Sequence, residues 1–157
     1  MVAVLPDRCG VFALSLVLGL APACTGQAPS PKWVAQDDTR LVVTVSPMQR
    51  AVVKQVMREN LERVQSVLAA AGAGDRETVH RLSKEAVITP GPGGTEPTLR
   101  PLLPDEWRAM GKELKGDWKA LAELTRAGGS PNEITAGVAR VTAHCVTCHK
   151  QYRLETH

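Results

Sequence analysis

Large aromatic side chains are scarce in this chain: one Phe, one Tyr and three Trp in 157 residues. Rings usually supply much of the buried volume of a domain. This core must therefore rest on aliphatic side chains, or be completed by a buried group that is not a side chain. A charge bias is also missing. Nineteen Lys and Arg face sixteen Asp and Glu, leaving +3, too little to argue for nucleic acid or an acidic substrate. Internal repeats are absent. The apolar run Val11–Leu20 has ten residues, about half of the roughly 20 that a membrane-spanning helix needs. The length suits one domain with a modest core.

That short run has another use. Arg8 precedes it, and the small residues Ala21-Pro22-Ala23 follow it. The order is that of an export signal with its cleavage site, spanning residues 1–23. Cysteine usage agrees with export. Cys9 would leave with the signal, and Cys24 would become the first mature residue, a lone thiol in an oxidising compartment. Two readings of Cys24 stand. It is acylated and ties the protein to a membrane, as in bacterial lipoproteins, or it is an incidental thiol on a soluble periplasmic protein. Leu20 and Ala23 suit a lipobox; Pro22 departs from it.

Residues 24–45 read as a flexible tether and lead-in. Thr25–Pro31 holds Gly and Pro and cannot pack a core. Leu41-Val-Val-Thr-Val45 is strand-like in composition, but no second strand is evident, so it is expected to lie extended on the helices.

Residues 46–157 read as four helices. The first opens at Ser46-Pro47, with a capping serine and a proline in the first turn. Its stripe is Val53, Met57, Leu61, Val64, Leu68 and Ala71, in steps of three and four, and Gly72 and Gly74 end it. Arg58 with Glu62 and Glu59 with Arg63 are spaced for ion pairs. The second helix is capped by Asp75, carries Val79, Leu82 and Ala86, and stops at Thr89–Gly94. A patternless crossover loop should run on to Pro101. The third opens at Pro104-Asp105-Glu106, acids that suit a helix start. Its stripe is Trp107, Gly111, Leu114, Trp118, Leu121 and Thr125, flanked by Met110 and Leu124, and Gly128-Gly129 ends it. The fourth begins with the capping box Ser130-Pro-Asn-Glu133. Its seam continues Ile134, Val138, Val141, Cys145, Cys148, Tyr152, which places both cysteines on the buried face. The expected fold is all-α, an antiparallel four-helix bundle.

The last helix carries the chemistry: Cys145-Val-Thr-Cys148-His149. A C-x-x-C-H run is the attachment signature of a c-type haem. Two thiols add to the vinyl groups and the imidazole ligates the iron. On a helix, spacings of three and four bring the three side chains to one face. One haem c is therefore expected, held near the C-terminal helix. Zinc would need a second group of ligands, and no further C-x-x-C or H-x-x-x-H is present. A thioredoxin-like pair should open a helix after a strand, which this pair does not.

The run Cys145-Val-Thr-Cys148-His149-Lys-Gln-Tyr152-Arg153, placed in the last helix and followed by an aromatic and a basic residue, resembles the cytochrome c′ family. The resemblance covers roughly Ser46 to Leu154. It implies an exported haem bundle with Cys145 and Cys148 as thioether anchors and His149 as proximal ligand. It also implies that Arg153, one turn beyond His149, lies near the imidazole and a propionate; a solvated helix end is the plainer reading. The sixth iron position separates two functions. A methionine from helix one, here Met57, gives a six-coordinate electron carrier with redox partner proteins. An apolar side chain there leaves the iron open to small gases such as nitric oxide. Met57 would otherwise be core filler. Met48, Met110, His80, His144 and His157 are weaker candidates; His80 and His144 are expected at the surface. Convergent acids, bases or nucleophiles are lacking, so an electron carrier rather than an enzyme is expected. The resemblance further implies dimers through helices one and two, where Leu61, Val64 and Leu68 suit either core or interface.

Overall fold

The computed structural model describes residues 38–157. The expected export signal, its cleavage site, Cys9, Cys24 and most of the tether lie outside them. The described elements run β1 (Leu41–Val45), α1 (Pro47–Gly72), α2 (Arg76–Ile88), the single turn α3 (Pro92–Thr95), a 3₁₀ turn (Arg100–Leu102), α4 (Asp105–Arg126), α5 (Pro131–Gln151) and β2 (Tyr152–Thr156). Helices take 74% of these residues, which settles the class as mainly helical with one small sheet. No described helix is long and apolar enough to cross a membrane.

Local chemistry accounts for the helix ends. Ser46 accepts from the Gln49 N–H, and the Gln49 side chain accepts from the Ser46 N–H. Ser130 and Glu133 repeat this box on α5. Asp75 caps α2 by accepting from Thr78 N–H. At the C-terminus of α1, Gly74 takes φ +73°, while Asp75 N–H reaches Ala70 O and Gly74 N–H reaches Ala71 O. Gly128 closes α4 in the same way at φ +86°. A residue with a Cβ is strained at such angles, and the paired bonds satisfy carbonyls the helix leaves over.

Each long helix touches two others: α1 meets α2 and α5, and α4 meets α2 and α5. One hydrophobic cluster fills the space between them, from Val64, Val67, Ala70, Val79, Ala86, Trp118, Leu121, Ile134, Val138 and Val141. Gly137 lets α5 approach α4, since a Cβ there would meet Leu121 Cδ1 at 2.8 Å. A second cluster joins Val43 and Val45 of β1, Val53 of α1, Leu99, Leu103 and Tyr152.

Four expectations need correction. Leu41–Val45 has a partner: it pairs in parallel with β2, Leu41 opposite Tyr152 and Val45 opposite Thr156. The loop after α2 is not patternless, because it holds α3 and the 3₁₀ turn and buries Leu99 completely. The core stripe of α1 is Val53, Val56, Val64, Val67 and Ala70, leaving Leu61 (69% exposed) and Leu68 on the surface. Two apolar stripes compete on this helix, and packing against α2 and α5 selects the valine-rich one. Neither expected ion pair of α1 forms among the described residues. Arg58 donates to Gln55, and Arg63 reaches Asn60 and Thr89.

Candidate functional site

The seam of α5 leaves the core after Val141. Beyond it Cys145 is exposed and Cys148 partly buried, so the expectation of both cysteines on the buried face is corrected. The reason is that α5 ends at Gln151 and the chain turns into β2 at Tyr152. The last turns of α5 therefore form a wall instead of a packed seam.

That wall faces a cleft with about 780 Å³ of space, open mouth included. Cys145, Cys148 and His149 line one side. Val56, Met57 and Asn60 of α1 line another, and Trp107, Met110, Leu114 and Trp118 come from α4. Ala86 and Trp118 belong to the first hydrophobic cluster, while Met57, Trp107, Met110 and Cys148 pack on the second. The cleft thus lies at the seam between the two. A second cleft, of about 1130 Å³ with its mouth, shares Met57, Trp107, Cys148 and His149 with the first. These four residues form the partition between the two clefts.

The partition is held from several sides. Tyr152 is buried and packs its ring against Trp107, with centroids 5.2 Å apart and planes inclined at 48°. Its N–H bonds the Cys148 carbonyl, capping α5. The Arg40 guanidinium donates to the His149 carbonyl at 3.3 Å. Helices leave their last carbonyls without partners, and a cation there complements the negative end of the helix dipole. Arg40 is in turn held by both oxygens of Asp38, at 2.8 and 2.6 Å. That guanidinium, with Arg153 nearby, lowers the Asp38 carboxyl to about 2.

Arg153 lies on β2, not one helical turn beyond His149 as expected. It lines the second cleft and pairs with Glu155 and, at 3.8 Å, with Asp38. His144 is not at the surface either. It is partly buried, lines the first cleft, and shares a 2.7 Å hydrogen bond with Asp117 of α4. His80 Nδ1 lies 2.9 Å from the Ala122 carbonyl, which ties α2 to α4. Met48 is 74% exposed, and His157 is exposed at the terminus. Met110 lines the first cleft only, whereas Met57 lines both.

The donor set fits one haem. Two thiols and an imidazole share one wall, the thioethers of Met57 and Met110 offer the soft donor that suits iron in a macrocycle, and the indoles of Trp107 and Trp118 offer apolar faces for the ring. Desolvation by the cleft walls, with Cys145 alongside, pushes the Cys148 thiol up to about 11, and burial raises Cys145 as well. Both are thus thiols, not thiolates, at neutral pH. Among the described residues, no group of three or more His, Cys, Asp or Glu side chains is arranged to hold a metal ion by itself. Asn60, Trp118 and His144 were missed as lining residues. Asn60 and His144 sit one residue from positions read as stripe or seam, a signal that periodicity assigns to solvent. Comparisons with family models, curated proteins and solved structures give no match.

Proposed function

We propose that this chain is an exported, periplasmic monohaem c-type cytochrome, a cytochrome c′-like antiparallel four-helix bundle that passes single electrons to and from protein partners. One observation carries the reading: Cys145, Cys148 and His149 share a cleft wall, and Met57 lines both clefts that meet there. Cys145 and Cys148 would anchor the haem by thioether bonds and His149 would ligate its iron, with Met57 the choice for a second residue on the iron. The haem supplies one-electron storage by cycling iron between its ferric and ferrous states.

The remaining work belongs to the chain. Trp107, Trp118, Leu114 and Val56 exclude water from the cleft and lower its local dielectric. Arg40 and Tyr152 hold the backbone on either side of His149, which restrains the imidazole during charge transfer. A methionine ligand in addition to the histidine would favour the reduced state and suit a carrier of high potential. A gas-binding alternative has its own support. Val56 is buried and lines the first cleft beside Met57, so α1 also offers the apolar side chain that an open iron position requires.

The absorption spectrum of the purified protein tests both. A sharp reduced α-band with a weak far-red ferric band is expected for His149 and Met57, and Met57→Ala should convert a low-spin protein to a high-spin one that binds carbon monoxide. A high-spin spectrum in the unaltered protein favours gas binding. Loss of all haem colour on acid–acetone extraction overturns covalent attachment.

A further inference from the structure

The formal charge of +3 is not spread evenly. Five basic residues, Arg40, Arg50, Lys54, Arg58 and Arg153, line the second cleft, and among the described residues no acidic side chain does. Asp38 offsets two of them, pairing with Arg40 and Arg153. The other three stand on one face of α1 at intervals of four residues, and all are exposed. None has a carboxylate within 4.0 Å among the described residues; Arg58 is bonded only to the neutral side chain of Gln55. Like charges spaced four apart repel and weaken a helix slightly. No ion pair among the described residues offsets that cost, so the arrangement suits an acidic partner.

The spacing narrows what that partner is. At about 1.5 Å of rise per residue, the three cations spread over about 12 Å along the helix. A single carboxylate or phosphate cannot touch all three, whereas a surface bearing several carboxylates can. The basic side chains line a concavity that also contains Met57, Cys148 and His149, and a flat bilayer meets a rim more readily than a floor. We propose that this cleft is the docking surface for a protein partner whose contact face is acidic, bringing that partner against the wall that carries His149. The placement beside His149 gains its purpose from the electron-carrying reading, on which the proposal rests. Opposite potentials across such a surface speed encounter and suppress wrong partners, and salt weakens the attraction over a Debye length of about 8 Å.

The test uses the full-length, haem-loaded protein and polyglutamate as a carboxylate-rich probe. Binding is measured at low and high ionic strength for the unaltered chain, for Lys54→Glu/Arg58→Glu, and for Lys84→Glu/Lys119→Glu. The last pair changes net charge equally but lies on α2 and α4, outside the cleft. Salt-sensitive binding is expected, weakened about tenfold or more by the cleft pair and much less by the control. Equal losses from both pairs overturn the proposal, because net charge alone would then explain binding. It is also overturned if the cleft pair leaves polyglutamate binding intact but abolishes sedimentation with phosphatidylglycerol vesicles. The same holds if it shifts only the reduction potential, which would assign the cations to the carboxylates of the cofactor. Cleft-dependent binding by a protein without haem bands supports the acidic partner and sinks the electron carrier, so the two failures are distinguishable.

Discussion

The two hydrophobic clusters are built on different terms. The first draws on all four long helices and reads as interlocking seams of Val, Ala, Leu and Ile with one Trp. The second takes its members from two strands, a loop and one helix, and its margin is made of Met57, Trp107, Met110 and Cys148. Helical seams fill space evenly, because neighbouring turns repeat the same geometry. Strand, loop and helix end do not, and the cleft opens where the second cluster meets the first. The scarcity of aromatic residues has its effect there: Trp107 and Tyr152 are spent on the partition, and among the described residues Trp118 is the one further ring, lining the cleft without filling it.

Truncating one buried leucine in each cluster puts that comparison to its hardest test. Leu121→Ala and Leu99→Ala should each cost about 2–5 kcal/mol in chemical denaturation, since both side chains are fully buried. If the cleft holds haem as proposed, Leu99→Ala should perturb the visible spectrum more than Leu121→Ala, because Leu99 shares its cluster with Met57 and Cys148, whereas the cluster of Leu121 reaches the cleft through Trp118 and Ala86. Equal spectral changes in both variants would show the two clusters to be one unit.

A smaller effect should come from Ser83. Its hydroxyl is fully buried on α2 between Val79 and Ala86, with no hydrogen-bond partner. An unpaired buried hydroxyl is costly, so Ser83→Ala should stabilise the protein by about 1 kcal/mol without touching the site. A loss of stability on that substitution would mean that the hydroxyl is satisfied after all.

The smallest effect concerns acid. Asp38 titrates at about 2, chiefly through the Arg40 guanidinium. A depressed folded value means that its contribution is present above the ordinary carboxylate range and is lost as pH falls from near 4 toward 2. Asp38→Asn should therefore remove this part of the acid dependence and, through Arg40, loosen the amide protons around His149. Proton exchange or NMR titration in that range reads it directly. A normal titration near 4 would detach Asp38 from the Arg40 contact.

What could be read beforehand follows the range of the signals. The capping serines at 46 and 130 and the glycine terminators are local signals, and each lies where its chemistry places it. The stripe of α4 was legible too, because Trp118, Leu121 and Thr125 admit only one buried face. On α1 two phases of apolar residues compete, and periodicity alone favoured Leu61 over Val56. Residues 152–156 alternate like a strand but follow a helix without punctuation, so Tyr152 was read as one more seam position. The partner of Leu41–Val45 could not be found locally, since a parallel strand leaves no hairpin signature. The basic cleft escaped notice because net charge averages over the chain what the fold gathers in one place.

The parallel pair of β1 and β2 joins positions 111 residues apart, from Leu41 to Tyr152. Closing so long a loop costs more chain entropy than any contact between successive helices, and contacts of that separation form late. Contacts between successive helices, α1 with α2 and α4 with α5, can therefore form before the two strands meet. Until they do, neither the Arg40 contact nor the strand beyond Gln151 restrains the segment bearing Cys145, Cys148 and His149. If that segment carries haem as proposed, it would stay accessible for cofactor attachment until the two strands pair and hold it in place.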